Sequence, residues 1–248
     1  MRFEEFTLVR VDVLGVQIDA VTLAEAVRTV EGFIAEGGPH LVATANAEMV
    51  MAAGRDRELA RILADAALVV PDGAGVVWAA RHLGQPVPER VAGFDLAEEL
   101  LARAATEGWR VFFFGGAPGI AAKASEAAAA KWPGLTVAGV RDGYFAPEEA
   151  ASIAAAIRAS KPHILLAALG VPKQEKWLAA QATTLAVPVS MGVGGTFDVM
   201  AGVTRRAPLW MQRAGLEWLY RLGCDPKRIG RMMALPRFVM RVLAAKKH

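Results

Sequence analysis

The chain has a single cysteine, Cys224, in 248 residues. An internal disulfide is excluded, and a cysteine-based zinc site, which would have one thiolate at most, is not expected. The four histidines, His40, His82, His163 and His248, show no metal-ligand spacing. Long apolar runs are missing too: nothing approaches the ~20 residues of a membrane-spanning helix. The longest candidate, residues 163–171, is strand length. The N-terminus, MRFEEFTLVR, carries two early acids and no apolar core, unlike a signal peptide. These absences favour a cytosolic protein. There is no internal repeat and no Ser/Pro-rich linker.

What is present is an uneven distribution of charge. Residues 203–248 hold eleven Lys or Arg against two acids, Glu217 and Asp225, a net of +9 in a chain whose total is +3. Residues 1–202 therefore sum to −6. The basic segment also carries Trp210, Met211, Trp218, Tyr220, Met232, Met233, Phe238 and Met240. Cations interleaved with apolar anchors on a mildly acidic body suit an anionic membrane surface or an anionic lipid. A pI near 9.2 also raises nucleic acid as a partner. Zinc-finger spacing and aromatic RNA-binding signatures are absent, so no nucleic-acid partner is expected.

Short apolar runs alternate with Ala-rich stretches of helical periodicity. Strands are expected at residues 7–13, 41–45, 67–70, 110–114, 135–140, 164–169 and 187–193. Helices are expected at 23–35, 48–64, 74–83, 96–106, 120–131, 148–160 and 173–183. This alternation predicts an α/β fold, a Rossmann-like parallel sheet with helices on both faces. The runs VFFF and ILLAAL lack period-2 alternation, as strands buried on both faces should. The composition changes near Gly202, giving a body of residues 1–202 and a basic helical C-terminal appendage of residues 203–248. In the appendage, helices are expected at 208–222 and 228–246, separated by a turn at 223–226. Met211, Gly215, Trp218 and Leu222 form one stripe of the first, and Pro236 should kink or break the second. The same helices can equally pack on the body, or pair subunits into a homo-oligomer.

Ligands of open parallel sheets bind at the carboxyl ends of the strands, and several of these ends are polar or glycine-rich. Thr44 and Asn46 follow the second expected strand; both can bond a ligand hydroxyl, and either can cap the next helix. Asp72, in Pro71-Asp72-Gly73-Ala74-Gly75, can take a proton from a hydroxyl or act as an N-cap. Gly115-Gly116-Ala117-Pro118-Gly119 suits a phosphate at a helix start, or simply a tight turn, and lacks the G-x-G-x-x-G spacing. Gly170-Val171-Pro172-Lys173-Gln174-Glu175 gathers amide, ammonium and carboxylate side chains at one strand end. Tyr144 can stack on a base, and Asp198, in the last glycine-rich turn, can hold a ribose; each has an ordinary packing or capping alternative. No Asp-x-Asp triplet occurs. Metal-dependent nucleotide-sugar transferases often use that pair, so a bound diphosphate is expected to be met by backbone amides and Arg or Lys.

Taken in order, these segments resemble the WecG/TagA/CpsF glycosyltransferase family (glycosyltransferase family 26). The matching pieces are Thr44-x-Asn46-x-Glu48, Asp72-Gly73-x-Gly75, Arg90-Val91-x-Gly93-x-Asp95, Phe114-Gly115-Gly116, Asp142-Gly143-Tyr144-Phe145, Gly170-x-Pro172-Lys173-Gln174-Glu175, Gly192-Val193-Gly194 with Phe197-Asp198, and Arg206-Ala207-Pro208. The resemblance as a whole runs from about residue 16 to residue 231. Ala47 departs from the proline that relatives often carry there, which touches loop stiffness but no polar group. The resemblance implies an inverting, metal-independent transfer without a cofactor. A hexose such as N-acetylmannosamine moves from a UDP-sugar donor to a polyprenyl-diphosphate-linked sugar acceptor, in teichoic acid, exopolysaccharide or related surface-polymer synthesis. It implies Asp72 as general base with Thr44 and Asn46 beside it. It places Arg90 and Gln174 in the sugar pocket, with Gly115, Gly116, Gly170 and Pro172 along the donor site, and Tyr144 and Asp198 at the uridine. It implies that Arg221, Arg228 and Arg231 reach the acceptor diphosphate, and that the enzyme works peripherally at the inner face of the cell membrane. Two other classes remain open from residues alone: a nucleotide-dependent oxidoreductase, suggested by the sheet and GGxxG, and a non-enzymatic lipid-binding adaptor, suggested by the tail.

Overall fold

The computed structural model describes residues 9–224 and 233–245. Its first element is an antiparallel hairpin, β1 (Arg10–Val13) and β2 (Val16–Asp19), joined by Leu14 and Gly15 at φ 56° and 88°. Positive φ at both turn residues matches the twist of a two-residue hairpin. The apolar pattern predicts one strand here and does not reveal β2, because Val16–Asp19 is short and ends in a charge. That charge is buried and used. Asp19 accepts from Val69 N at 2.6 Å and from Arg10 Nε at 3.0 Å, which fastens the hairpin to the sheet. Burial nevertheless raises its pKa, outweighing these bonds.

The remaining strands are β3 (His40–Ala45), β4 (Leu68–Pro71), β5 (Arg110–Gly115), β6 (Thr136–Arg141), β7 (Ile164–Ala168) and β8 (Val189–Gly192). They form one parallel sheet in the order β4-β3-β8-β7-β5-β6. The helices are α1 (Leu23–Glu36), α2 (Ala47–Ala53), α3 (Arg57–Asp65), α4 (Ala74–His82), α5 (Gly93–Glu107), α6 (Ile120–Lys131), α7 (Ala150–Ala159), α8 (Lys173–Leu185), α9 (Thr196–Met200), α10 (Leu209–Arg213), α11 (Glu217–Cys224) and α12 (Ala234–Ala245). The α/β architecture with a Rossmann-like parallel sheet agrees with the sequence pattern. Val111, Phe113, Ile164 and Leu166 point to the face covered by α1, α5, α6 and α9. Phe112, Phe114, Leu165 and Ala167 point to the face covered by α7 and α8. Both sides of these central strands are buried, so their sequence is continuously apolar.

Two expected helices are each divided. Residues 48–64 break after α2, where Asp56 accepts from Glu58 N and Leu59 N and starts α3. Residues 208–222 break at Gly215, φ 71°, where Leu216 N bonds Met211 O and Gly215 N bonds Gln212 O. That pair of bonds is a Schellman C-cap, which only a residue tolerant of positive φ completes readily. The stripe expected across Met211, Gly215, Trp218 and Leu222 is therefore split between α10 and α11. Pro236 falls in the first turn of α12, where its missing N–H is not needed, so it sits at the start of a helix and does not kink its interior. Residues 228–232 of the second expected helix lie outside the described residues. So do 225 and 226 of the expected turn, whose other half, Gly223 and Cys224, belongs to α11.

The described tail returns to the body. Phe238 and Val242 of α12 are fully buried, and the helix packs against α2 and α4. Burying a phenylalanine stabilises by about 1.5–3 kcal/mol. The opposite side of the tail is apolar and exposed, with Leu209, Trp210, Leu219, Met240 and Leu243 beside the cations Arg205, Arg213, Arg237 and Arg241.

Candidate active site

Two cavities open at the carboxyl edge of the sheet. The smaller, about 220 Å³, lies over β4, β3 and β8. Thr44, at the end of β3, is buried and donates through Oγ1 to Gly192 O at 3.3 Å. Asn46 accepts from Met49 N at 3.0 Å and so caps α2 while also lining the cavity. Asp72 follows β4; its N–H bonds Ala45 O at 2.9 Å, and Gly73 at φ 92° turns the chain into α4. Asp72, Thr44, Asn46 and Arg90 line this one cavity together. Gly93 allows the close approach: a Cβ there would sit 3.0 Å from Thr44 Cγ2.

The tail supplies much of the cavity wall, through Gly215, Glu217, Trp218, Ala234 and Leu235. Arg90 Nη1 donates to Glu217 Oε2 at 3.1 Å. Arg206 binds both carboxylate oxygens of Asp95 and lies over the Phe94 ring, 4.6 Å from its centroid. Burial pulls the Arg206 pKa down, but Asp95, Glu217 and Asp72 together push it above its ordinary value. Arg206 therefore stays a cation in a partly desolvated place beside Asp72. Arg221 lies on α11, and Arg228 and Arg231 lie outside the described residues.

The larger cleft, about 730 Å³, lies over β6, β5, β7 and β8. It is lined by Gly116, Gly143, Gly170 and Gly194, by the exposed Tyr144 ring, and by Lys173 and Asp198. Gly195 lines both cavities, so the two adjoin at the end of β8. Gly115 and Pro172 sit behind the cleft wall. A Cβ on Gly115, at φ 121°, would come within 2.5 Å of Ala168 O, so only glycine allows β5 and β7 to close here. Pro172 follows a cis peptide bond and immediately precedes α8.

Gln174 lines neither cavity. It is fully buried, and its Oε1 accepts from Gly170 N and Gly194 N at 3.1 Å each, stapling the β7 and β8 loops together. Its Nε2 donates to Glu175 Oε1 at 2.8 Å. Burial raises the Glu175 pKa to about 6, opposed by the bonds from Gln174 and from its own backbone. The sequence marked Lys173 and Glu175 only as parts of a motif. Glu217 and Trp218 it did not mark as site residues at all, since nothing local shows that α11 folds over Asp72. Among the described residues no three His, Cys, Asp or Glu side chains gather as a metal site, and no helix is long and apolar enough to cross a membrane.

Comparison with known proteins accounts for this arrangement. The family model described as "Glycosyl transferase WecG/TagA/CpsF family" matches residues 11–248. An N-acetylglucosaminyldiphosphoundecaprenol N-acetyl-beta-D-mannosaminyltransferase from Bacillus spizizenii is 37% identical over 202 residues, covering 82% of this chain and 78% of the relative. A Bacillus subtilis protein of the same name is 34% identical over 208 residues, covering 84% and 80%. One from Staphylococcus aureus is 32% identical over 246 residues, covering 98% and 96%. The oxidoreductase and adaptor readings fall away, and the chain belongs to the WecG/TagA/CpsF family of glycosyltransferases.

Proposed function

We propose that the protein transfers N-acetylmannosamine, or a closely related hexose, from a UDP-sugar to N-acetylglucosaminyl-diphospho-undecaprenol. Residues 1–202 form the catalytic body, and residues 203–248 are an appendage for the membrane and the lipid diphosphate. The observation that carries this reading is the junction at Gly195 between a long glycine-walled cleft and the cavity holding Asp72. UDP lies in the cleft, with Tyr144 and Asp198 at the uridine, and the acceptor sugar enters the smaller cavity. Asp72 takes the acceptor hydroxyl proton, a step worth about 10²–10⁴-fold. Attack from the side opposite UDP inverts the anomeric centre. Thr44 and Asn46 hold the sugar hydroxyls, and Arg90 faces the same space. No metal or cofactor has a part in this scheme. The names of the relatives support both the sugar and the acceptor.

The polyprenyl chain stays in the bilayer, which suits the exposed apolar and cationic side of α10 to α12. Arg221, Arg228 and Arg231 are assigned to the lipid diphosphate, and the enzyme to the inner face of the cell membrane. The apolar tail face can also pair subunits. The deciding experiment offers a panel of UDP-sugars with a synthetic polyprenyl-diphosphate-linked acceptor. UDP-N-acetylmannosamine should be used best and give the inverted linkage. Asp72→Asn should abolish transfer and keep UDP binding; wild-type turnover in that variant, or a retained linkage, overturns the scheme.

A further inference from the structure

Five amides of the donor cleft are already engaged. Gly116 N bonds Ala168 O and Gly143 N bonds Gly116 O, each at 2.9 Å. Tyr144 N bonds Asp142 Oδ1 at 2.9 Å, and Gly170 N and Gly194 N share Gln174 Oε1. A diphosphate laid along this wall thus finds these five donors taken, contrary to what a glycine-rich turn suggests. Its two negative charges call for a cation, and Lys173 is the only one among the described residues that line the cleft. The ammonium is exposed, and no ion pair among the described residues holds it.

Its position across the sheet is also suitable. Tyr144 follows β6, Lys173 follows β7, Thr44 lies at the end of β3, and Asp72 follows β4. In the order β4-β3-β8-β7-β5-β6, β7 lies between the strand that carries Tyr144 and those that carry the candidate base. With neighbouring strands about 4.8 Å apart, Lys173 is two strand spacings from β6 and two from β3. A UDP-sugar with its base at Tyr144 and its anomeric carbon near Asp72 passes its diphosphate over β7.

We infer that Lys173 is the group that binds the donor diphosphate and stabilises the leaving UDP. The inference rests on the donor reading of the cleft given above. In the reaction, the acceptor oxygen bonds the anomeric carbon as the bond from that carbon to the β-phosphate oxygen breaks. The acceptor proton passes to Asp72, and the electron pair leaves on the β-phosphate oxygen, where an ammonium counters the new charge.

Calorimetric titration of UDP and uridine into the full-length protein tests this. Lys173→Met should weaken UDP binding by about 10- to 100-fold, the scale of one charge-assisted hydrogen bond. Uridine binding should change less than about 2-fold, since uridine lacks the phosphates that Lys173 is argued to meet. Lys173→Arg should recover most of the UDP affinity, and turnover should follow the same order. Equal UDP affinity in wild type and Lys173→Met overturns the assignment. So does an equal loss for UDP and uridine, which marks a structural role. Wild type that binds neither ligand overturns the donor reading itself.

Discussion

Arg90 and Glu217 stand 127 residues apart in the chain and meet at 3.1 Å over the cavity that holds Asp72. Glu217 is one of only two acids in the basic segment, and its side chain is turned inward, 13% exposed, with Arg206 Nε also within 4.0 Å. The pair ties α11 to the loop before α5. Being partly solvated, it is worth about 1 kcal/mol. Glu217→Gln should lower the melting temperature by about 2–4 °C and leave UDP affinity unchanged, because the cleft proposed for UDP lies on the other side of β8. A thermal-shift series with UDP titration reads both effects.

Gly215 sets how closely the tail approaches. Its φ is 71°, and a Cβ there would lie 2.7 Å from the Cβ of Ala74, the first residue of α4. Gly215→Ala should cost about 1–3 kcal/mol and push α11 away from the cavity. Transfer to the lipid-linked acceptor should fall by more than about tenfold, each tenfold being 1.36 kcal/mol of barrier, while UDP still binds. Gly84→Ala is the control: Gly84 also has positive φ, 81°, but nothing lies within 4 Å. It should bring strain without loss of turnover.

Gln174→Leu removes one acceptor from two backbone donors, Gly170 N and Gly194 N. Left unpaired in the protein, each N–H costs about 1–3 kcal/mol. Both glycines line the cleft proposed for UDP, so stability and UDP affinity should fall together. Chemical denaturation and calorimetry on the same variant measure the two losses.

Glu175 predicts a pH dependence. Its pKa is about 6 in the folded protein against 4.5 for the free side chain, because burial disfavours the carboxylate. Between these values the folded state holds a proton that the unfolded state has lost, so stability falls as pH rises from about 4.5 to about 6. The contribution is fully present below that window and lost above it. A shift of this size corresponds to about 2 kcal/mol. In Glu175→Gln, the change in unfolding free energy between pH 4.5 and 7.5 should be smaller by that amount, as denaturant titrations at the two pH values would show.

Much of the fold is legible in the chain because period and apolarity are local properties. The runs at Arg110–Gly115 and Ile164–Ala168 could be read as doubly buried strands, and the polar residues just after them as strand-end groups. The hairpin partner β2 was not legible, because its single charge reads as exposed until Val69 and Arg10 are brought to it. The division between α10 and α11 was hidden for a related reason: a helical stripe runs through Gly215, and only the packed turn shows its positive φ. Gln174 illustrates the limit for the site. Its motif marks it as important, but whether an amide faces a ligand or holds two loops depends on burial.

By itself the sequence determined the parallel α/β architecture, the family, the set of polar strand ends and the charge of the tail. All of these follow from residue type and spacing along the chain. Only the tertiary structure decided how these parts are used. It put Asp72, Thr44, Asn46 and Arg90 in one cavity and closed that cavity with Glu217 and Trp218 from the tail. It also committed five of the cleft amides to internal bonds and left Lys173 as the cation there among the described residues. Such choices depend on strand order and on which hydrogen bonds are already made, and both are set by contacts between residues far apart in the chain.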